Sequence, residues 1–256
     1  MSYHVLNRLF APSIIALGKR KTARVFTAPP ITICGCARSG TTLLLAILDA
    51  HPHIWGMDEV DMFTEWERDP RTGAPRPRRI DRLYRHILFS SIPSATTRYC
   101  EKRPGNVRFL NEIIAYLDSQ VRVIHLVRDA RDVLTSRHPL RPDEYWVDID
   151  RWVTDVRAGL ALRQHPCVLT ERYEDLVGDF DKTAERIASH IGENCAPLRQ
   201  WRHATGIRKS KAWFTGVHDV HRRSVGKWRD ASHRKRLEQI MADSRVVALL
   251  EELGYC

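Results

Sequence analysis

Residues 31–50 of this 256-residue chain, ITICGCARSGTTLLLAILDA, decide the fold. The first five form a short, β-rich apolar run that is typical of a buried strand, and Pro29 and Pro30 break the chain just before it. A glycine-bounded turn over 35–40 leads into 41–50, whose composition predicts a helix. A strand, a glycine-bounded loop and a helix in direct succession are the start of a phosphate-binding α/β fold.

Strand and helix patterns alternate along the rest of the chain. Strands are predicted at 121–127 and 167–173, and helices at 106–118 with Asn106 as N-cap, 148–164, 179–191 with Gly192 as the stop, and about 231–252. This alternation predicts an α/β fold with a P-loop-type parallel sheet flanked by helices on both faces. We assign 31–256 to a single domain and 1–30 to an N-terminal extension, a helix that packs on the domain or a partner or else lies on a membrane surface.

Composition indicates a globular protein with an anionic partner. Hydrophobic residues make up 43% and charged residues 28%, and the formal net charge is +10. Such a basic excess is typical of proteins that meet nucleic acid, anionic membrane, or a phosphorylated or sulfated ligand. No apolar run approaches the ~20 residues that a membrane-spanning helix needs. The segment 68–82 holds six arginines and three prolines, which predicts either a solvated loop or a flap that meets an anionic acceptor.

Cysteine and histidine spacing predicts neither disulfides nor a metal site. None of the six cysteines forms a C-x-x-C pair, so we expect a reduced, cytoplasmic protein in which each thiol is a small buried side chain. The histidines lack the spacing of zinc ligands. His125 lies in the middle of a predicted strand and is interpreted as a core residue.

The loop Gly35–Thr42 has the glycine spacing of the phosphate-binding motif G-x-x-x-x-G-K-[ST]. Thr41 stands where that motif has its lysine, and a cation appears instead inside the loop, at Arg38. Backbone N–H groups at a helix N-terminus bind a phosphate without that lysine. The loop therefore predicts a 5′-phosphate site, and it disfavours a magnesium-dependent nucleoside triphosphatase.

The run RSGTTLLLAILDAHPHIWGMDE, residues 38–59, resembles the 5′-phosphosulfate loop of sulfotransferases, which use 3′-phosphoadenosine 5′-phosphosulfate (PAPS) as donor. It is most similar to protein-tyrosine sulfotransferases and the bacterial sulfotransferases near them, with Ala37 where many members have proline. Residues 124–136, IHLVRDARDVLTS, resemble the 3′-phosphate motif of the family. Shorter matches follow the family order: Lys102 in CEKRPGN, the run Tyr173-Glu174-Asp175-Leu176, Lys227-Trp228 in SVGKWRD, and LGY at 253–255.

The resemblance implies an enzyme that moves a sulfuryl group from PAPS to an acceptor hydroxyl without a metal. It implies that Glu59 is the base, with Asp58 as the fallback, and that Arg38 and Lys102 stabilise charge on the leaving oxygen. The implied donor-binding residues are Arg38, the backbone amides of Ser39, Gly40, Thr41 and Thr42, then Arg128 and Ser136 at the 3′-phosphate, and Tyr173, Lys227 and Trp228. Arg137 and Arg141 are alternatives for a second 3′-phosphate arginine, and Ser224 for a serine that the family has before Lys227.

Several alternatives stay open at this point. Taken singly, Glu59 is also consistent with a surface acid, Lys102 with a solvated lysine and Trp228 with a core aromatic. For the whole chain the alternatives are a P-loop kinase, a basic nucleic-acid-binding protein or an inactive relative that only binds. The acceptor is either a tyrosine in an acidic peptide or a hydroxyl of a sugar, lipid or small metabolite. A homodimer is one option for the oligomeric state.

Overall fold

The computed structural model describes residues 3–60, 81–138, 140–201 and 222–256. Its centre is a five-stranded parallel sheet whose spatial order is β2 (Ile54–Asp58), β3 (Arg98–Lys102), β1 (Ile31–Gly35), β4 (Arg122–Val127) and β7 (Val168–Arg172). A separate antiparallel hairpin is formed by β5 (Arg137–His138) and β6 (Arg141–Tyr145). Because the five strands run parallel, their carboxyl ends meet at one edge of the sheet.

Helices connect and cover these strands. They are α1 (Tyr3–Val25), α2 (Thr41–Asp49), α3 (Asp81–Phe89), α4 (Leu110–Tyr116), α5 (Ala130–Leu134), α6 (Ile149–Leu160), α7 (Tyr173–Gly178), α8 (Phe180–Ile191), α9 (Cys195–Arg199), α10 (Arg234–Ala242) and α11 (Ser244–Glu252). Short 3₁₀ helices cover Pro104–Phe109, Arg222–Ser224, Lys227–Arg229 and Ala231–His233.

Alternate side chains of the central strands pack on opposite faces of the sheet. Ile31, Ile33 and Leu126 join a core with helices α2, α7, α8 and α9. Cys34 and Val123 join a second core with α4 and its preceding 3₁₀ turn on the other face. β1 is buried along its whole length, as expected for an inner strand covered on both sides. The predicted α/β fold with helices on both faces is confirmed.

Two helix predictions were wrong in detail. Over 106–118 the chain first forms a 3₁₀ turn and only then α4, and Asn106 is not an N-cap: its buried side-chain amide donates to the Glu101 carboxylate at 3.0 and 2.9 Å. The helix predicted at 231–252 is a 3₁₀ turn followed by two α-helices. The α-helices are separate because Asp243 is extended (φ −85°, ψ 109°) and accepts a hydrogen bond from the N–H of Arg245. Gly192 ends α8 in the left-handed conformation, as predicted.

The extension before β1 is helical and packs on the rest of the described chain. α1 contacts α3, and Phe26 directly after it packs edge-on to the ring of Tyr99, with centroids 5.2 Å apart. Among the described residues, no helix is both long and apolar enough to cross a membrane. The arginine-rich segment 68–82 lies outside the described residues except for its last two positions.

Cysteine burial only partly follows the prediction. Cys34, Cys36, Cys100 and Cys167 are buried, in keeping with small apolar side chains. Cys195 is only partly buried and Cys256 is exposed. The prediction was wrong for Cys256, which follows the end of α11 and is exposed.

Candidate active site

The loop between β1 and α2 is a tight turn that requires glycine at two positions. Gly35 has a φ of +143°, and a Cβ there would lie 2.3 Å from the carbonyl oxygen of Leu126. Gly40 has a φ of +92°, and a Cβ there would lie 2.4 Å from a ring carbon of Tyr173. Any larger residue would overlap these atoms, so the glycine spacing has a steric cause. Tyr173, the first residue of α7, therefore lies directly against the loop.

Hydrogen-bond donors gather where the loop enters α2. The first N–H groups of a helix have no partner within it, so those of Thr41 and Thr42 point out of the helix end. The N–H of Ser39 donates to the Cys36 carbonyl at 3.2 Å. The buried Ser39 hydroxyl has no hydrogen-bond partner among the described residues. Such a helix end suits an anion, because both its N–H groups and its dipole favour negative charge.

Arg128 reaches the same loop from the end of β4. Its Nη1 donates to the carbonyl of Arg38 at 2.9 Å, and its Nη2 donates to the carbonyl of Ser224. Its guanidinium also lies over the ring of Tyr173, 4.4 Å from the centroid. Arg128 is 8% exposed, and its Nε has no hydrogen-bond partner among the described residues. One side chain thus joins the loop, α7 and the segment that precedes Lys227.

The other residues predicted for the 3′-phosphate lie just beyond α5. The hydroxyl of Ser136 donates to the carbonyl of Asp132 at 2.8 Å, which leaves its oxygen lone pairs available. Arg137 lies over the ring of Tyr145 at 4.1 Å, and Arg141 pairs with the neighbouring Glu144 at 2.8 Å. Both arginines therefore make contacts inside the β5–β6 hairpin, and the choice between them stays a prediction.

Lys102 and Glu59 form an ion pair at the carboxyl edge of the sheet. Lys102 is the last residue of β3 and Glu59 follows the last residue of β2; the two strands are adjacent. The Lys102 Nζ lies 3.0 Å from the Glu59 Oε1. The lysine side chain is fully buried, whereas the glutamate side chain is 49% exposed. The interpretation of Lys102 as a solvated lysine was therefore wrong.

Arg38 and Glu59 both adopt the left-handed backbone conformation, which side-chain-bearing residues rarely take. Their φ angles are +72° and +46°, and in the described chain only Asp118 and Ser119, in a turn, share this property. The conformation costs roughly 1–2 kcal/mol per residue. The Arg38 guanidinium lies 6.0 Å from the ring of Trp146. Arg38 is exposed, yet desolvation by the surrounding protein, and then the charge of Arg128, lower its pKa.

Lys227 and Trp228 lie in a 3₁₀ turn beside α5. Lys227 is exposed, and Trp228 is only partly buried. Two guanidinium groups contact the Trp228 ring, those of Arg131 at 4.4 Å and Arg229 at 4.5 Å from its centroid. Trp228 is therefore not the core aromatic that was the alternative interpretation.

One group of three side chains in the described chain has spacing that suits a metal ion: His51, His53 and Glu193. It lies at the amino edge of the sheet, before β2 begins. His51 Nδ1 accepts a hydrogen bond from the His53 backbone N–H at 3.2 Å, so the neutral ring carries its proton on Nε2, the atom that faces Glu193. Glu193 already pairs with Arg98 at 2.9 Å. These contacts favour a polar cluster over a metal centre.

The profile of the sulfotransferase family matches residues 29–197, a span that contains the loop, the Lys102–Glu59 pair and Arg128. The chain belongs to the sulfotransferase family. A comparison with curated protein sequences finds no significant match. Membership confirms the predicted family and enzyme class, and it decides against the kinase and nucleic-acid-binding alternatives.

Solved sulfotransferase structures share the fold. The sulfotransferase domain of the Synechococcus PCC 7002 olefin synthase superimposes with a TM-score of 0.64 at 22% identity, covering 90% of this chain and 96% of that domain. Mouse sulfotransferase SULT7A1, solved in complex with PAP, gives 0.55 at 18% identity, covering 96% and 95%. STF1 from Mycobacterium tuberculosis gives 0.51 at 17% identity, covering 77% and 79%.

Sequence reasoning missed two side-chain contacts next to the sulfotransferase site. Glu174 accepts hydrogen bonds from the Tyr255 hydroxyl at 2.7 Å and from the backbone N–H of Asp129 at 3.2 Å, and its burial raises its pKa. This contact fastens the chain end to the residue after Arg128. Trp146 beside Arg38 was also missed. Glu174 and Tyr255 stand inside quoted motifs, but nothing in the sequence pairs residues 81 positions apart.

Proposed function

We propose that this sulfotransferase moves a sulfuryl group from PAPS to an acceptor hydroxyl, with Glu59 as the base and Lys102 and Arg38 as the stabilising cations. The observation that carries the proposal is the pair formed by a fully buried lysine and a half-exposed glutamate at 3.0 Å. A base must be reachable by an acceptor, and a stabilising cation is most effective where water is excluded. The pair satisfies both requirements at the edge of the sheet where the phosphate loop lies.

The donor fits the described residues. Thr41 and Thr42 would donate their helix-end N–H groups to the 5′-phosphosulfate, and the buried Ser39 hydroxyl, which lacks a partner among the described residues, would add another hydrogen bond. Arg128 and Ser136 would bind the 3′-phosphate. Tyr173, Lys227 and Trp228 complete the predicted donor-binding set around the loop. That a mouse relative of the same fold was solved with PAP supports this choice of nucleotide.

Transfer then requires three tasks of the chain. Glu59 takes the proton of the acceptor hydroxyl while the acceptor oxygen forms its bond to sulfur. The bond between sulfur and the bridging phosphate oxygen breaks, and Lys102 and Arg38 stabilise the negative charge that develops there. In-line transfer of this kind depends mainly on positioning and charge stabilisation. In this proposal two side-chain cations do the work that a divalent ion does in phosphoryl transfer.

The proposal leaves two classes of acceptor. A tyrosine in an acidic peptide suits the basic charge of the chain, and a sugar, lipid or small-metabolite hydroxyl is the alternative. An anionic acceptor, a homodimer and a cytoplasmic location stay predictions. A panel of these acceptors with labelled PAPS, followed by mass spectrometry of the product, distinguishes them by which molecule gains a sulfuryl group.

Glu59→Gln tests the mechanism. The amide keeps the shape of the glutamate but takes up no proton, so we expect kcat to fall about 100-fold or more, the scale of general-base catalysis. The affinity for PAP, measured by calorimetry, should stay within about threefold, because the donor contacts are unchanged. Glu252→Gln removes an exposed glutamate that pairs with Arg163 and is not among the proposed site residues, and it is the matched control. A Glu59→Gln enzyme with nearly normal kcat would exclude Glu59 as the base.

A further inference from the structure

Asp132 is a buried carboxylate that no step of the proposed reaction uses. It lies in α5, four residues after Arg128, and is 2% exposed. Its Oδ2 accepts a hydrogen bond from the backbone N–H of Gly226 at 2.8 Å, and its Oδ1 accepts one from the backbone N–H of Trp228 at 3.2 Å. Both carboxylate oxygens thus bind a segment that is more than 90 residues away in sequence.

The two amides held by Asp132 flank Lys227. Gly226 enters the turn with a φ of +78°, and Lys227 begins the 3₁₀ helix that follows. Since the backbone on both sides of Lys227 is fixed to α5, the direction in which its exposed side chain leaves the turn is fixed as well. Hydrogen bonds to an ionised carboxylate are roughly twice as strong as neutral ones.

Arg128 holds the same segment from one helical turn away. Its Nη2 donates to the carbonyl of Ser224 and lies 3.8 Å from the Oδ2 of Asp132, while its Nη1 donates to the carbonyl of Arg38 in the phosphate loop. The segment 224–228 therefore binds the Arg128 guanidinium through the Ser224 carbonyl and the Asp132 carboxylate through the N–H groups of Gly226 and Trp228. The cation is shared with the loop that binds the 5′ end of the donor.

We propose that Asp132 is a positioning residue for the donor: it fixes the Gly226–Trp228 turn so that Lys227 and Arg128 contact the same nucleotide. This inference rests on the proposed function. Asp132 is buried, and each of its carboxylate oxygens accepts a backbone N–H of this segment. A carboxylate offers a phosphate no hydrogen-bond donor, so Asp132 does not itself bind one. It acts through Lys227, and its removal should therefore abolish the contribution of Lys227 to donor affinity.

The test is a double-mutant cycle on PAP affinity, measured by calorimetry with the full chain. Asp132→Asn keeps the shape but turns an NH₂ group toward one of the two backbone N–H donors. We expect Asp132→Asn and Lys227→Ala each to weaken PAP binding about tenfold or more, since a lost charge-assisted hydrogen bond has that magnitude. The double variant should bind no more than about threefold more weakly than Asp132→Asn alone, because interacting residues are non-additive.

Additive losses in the cycle, or an Asp132→Asn affinity equal to wild type, would overturn the inference. Asp243→Asn changes the partly buried N-cap carboxylate of α11, which is not part of the donor segment, and it should leave PAP affinity unchanged. If Asp132→Asn does not fold, the same cycle is run with Asp132→Glu, which retains the carboxylate in a shifted position. An Asp132→Glu protein that binds PAP with wild-type affinity, and in which Lys227→Ala still weakens binding as much as in wild type, also contradicts the proposal. Wild-type protein that binds no PAP contradicts the proposed function itself, which is a different outcome.

Discussion

The buried histidine His125 should make the free energy of unfolding depend on pH. It lies in the middle of β4 with no exposed surface, and its Nδ1 lies 3.3 Å from the Thr170 hydroxyl. The ring fills the space beside Gly159, where a Cβ would lie 2.2 Å from the imidazole Cε1. Burial lowers the pKa of His125 from 6.5 to about 4. The prediction that it is a core residue is confirmed.

The sign of the effect follows from the lowered pKa. The folded protein keeps His125 neutral, whereas the unfolded chain, with a pKa of 6.5, binds a proton as the pH falls. The stability contributed by His125 is therefore complete above pH 6.5 and is lost as the pH falls toward the folded value. At about pH 4.5 the loss amounts to about 2.5 kcal/mol.

His125→Leu isolates this contribution. Burial also lowers the pKa of His51, His86 and His190, so the total acid sensitivity of the wild type exceeds that of one residue. Urea denaturation at about pH 7.5 and at about pH 4.5 gives the unfolding free energy of both proteins. We expect wild type to lose about 2.5 kcal/mol more than the variant between these conditions. Equal losses would show that His125 does not carry a depressed pKa.

Two further substitutions test the packing around the site. Gly40→Ala places a methyl group 2.4 Å from the Tyr173 ring at a φ of +92°. We expect calorimetry to show PAP affinity at least about tenfold weaker. Gly105→Ala is the control: a Cβ there meets open space, so its PAP affinity should match wild type. Tyr255→Phe deletes the 2.7 Å hydrogen bond to the partly buried Glu174 and should lower the unfolding free energy by about 1–3 kcal/mol. An unchanged urea midpoint would mean that the contact contributes nothing.

Strands β1, β4 and β7 and helix α2 were predicted from the sequence, β1 and β4 because each is an apolar run with clear ends, whereas β2 and β3 of the same sheet were not predicted. β1 spans the five residues predicted, and β4 begins one residue later than predicted. Tertiary contacts decided the segments that were wrong. Asn106 turns inward to bind Glu101, which no local pattern indicates, and Asp243 competes with helix continuation by capping the helix that follows it.

The site was predictable as a set of motifs but not as a set of contacts. Lys102 and Glu59 are 43 residues apart, and their pairing depends on β2 and β3 being neighbours, an order that sequence spacing does not specify. Arg128 was predicted as a phosphate ligand, yet two backbone carbonyls, those of Arg38 and Ser224, also receive its donors. Such links are visible only after the sheet brings the strand ends to one edge.

Strained backbone at two candidate site residues, Arg38 and Glu59, is held differently from the strained backbone of an ordinary turn. Asp118 and Ser119, in a turn after α4, also adopt positive φ, so the angle alone does not mark a site. At Glu59 the backbone N–H donates to the Lys102 carbonyl at 2.9 Å, and at Arg38 the carbonyl accepts from Arg128. In both cases the neighbour that holds the strained backbone is itself a candidate site cation. Backbone strain held by the surrounding structure fixes a side chain before the substrate arrives, which is the condition for preorganised charge stabilisation.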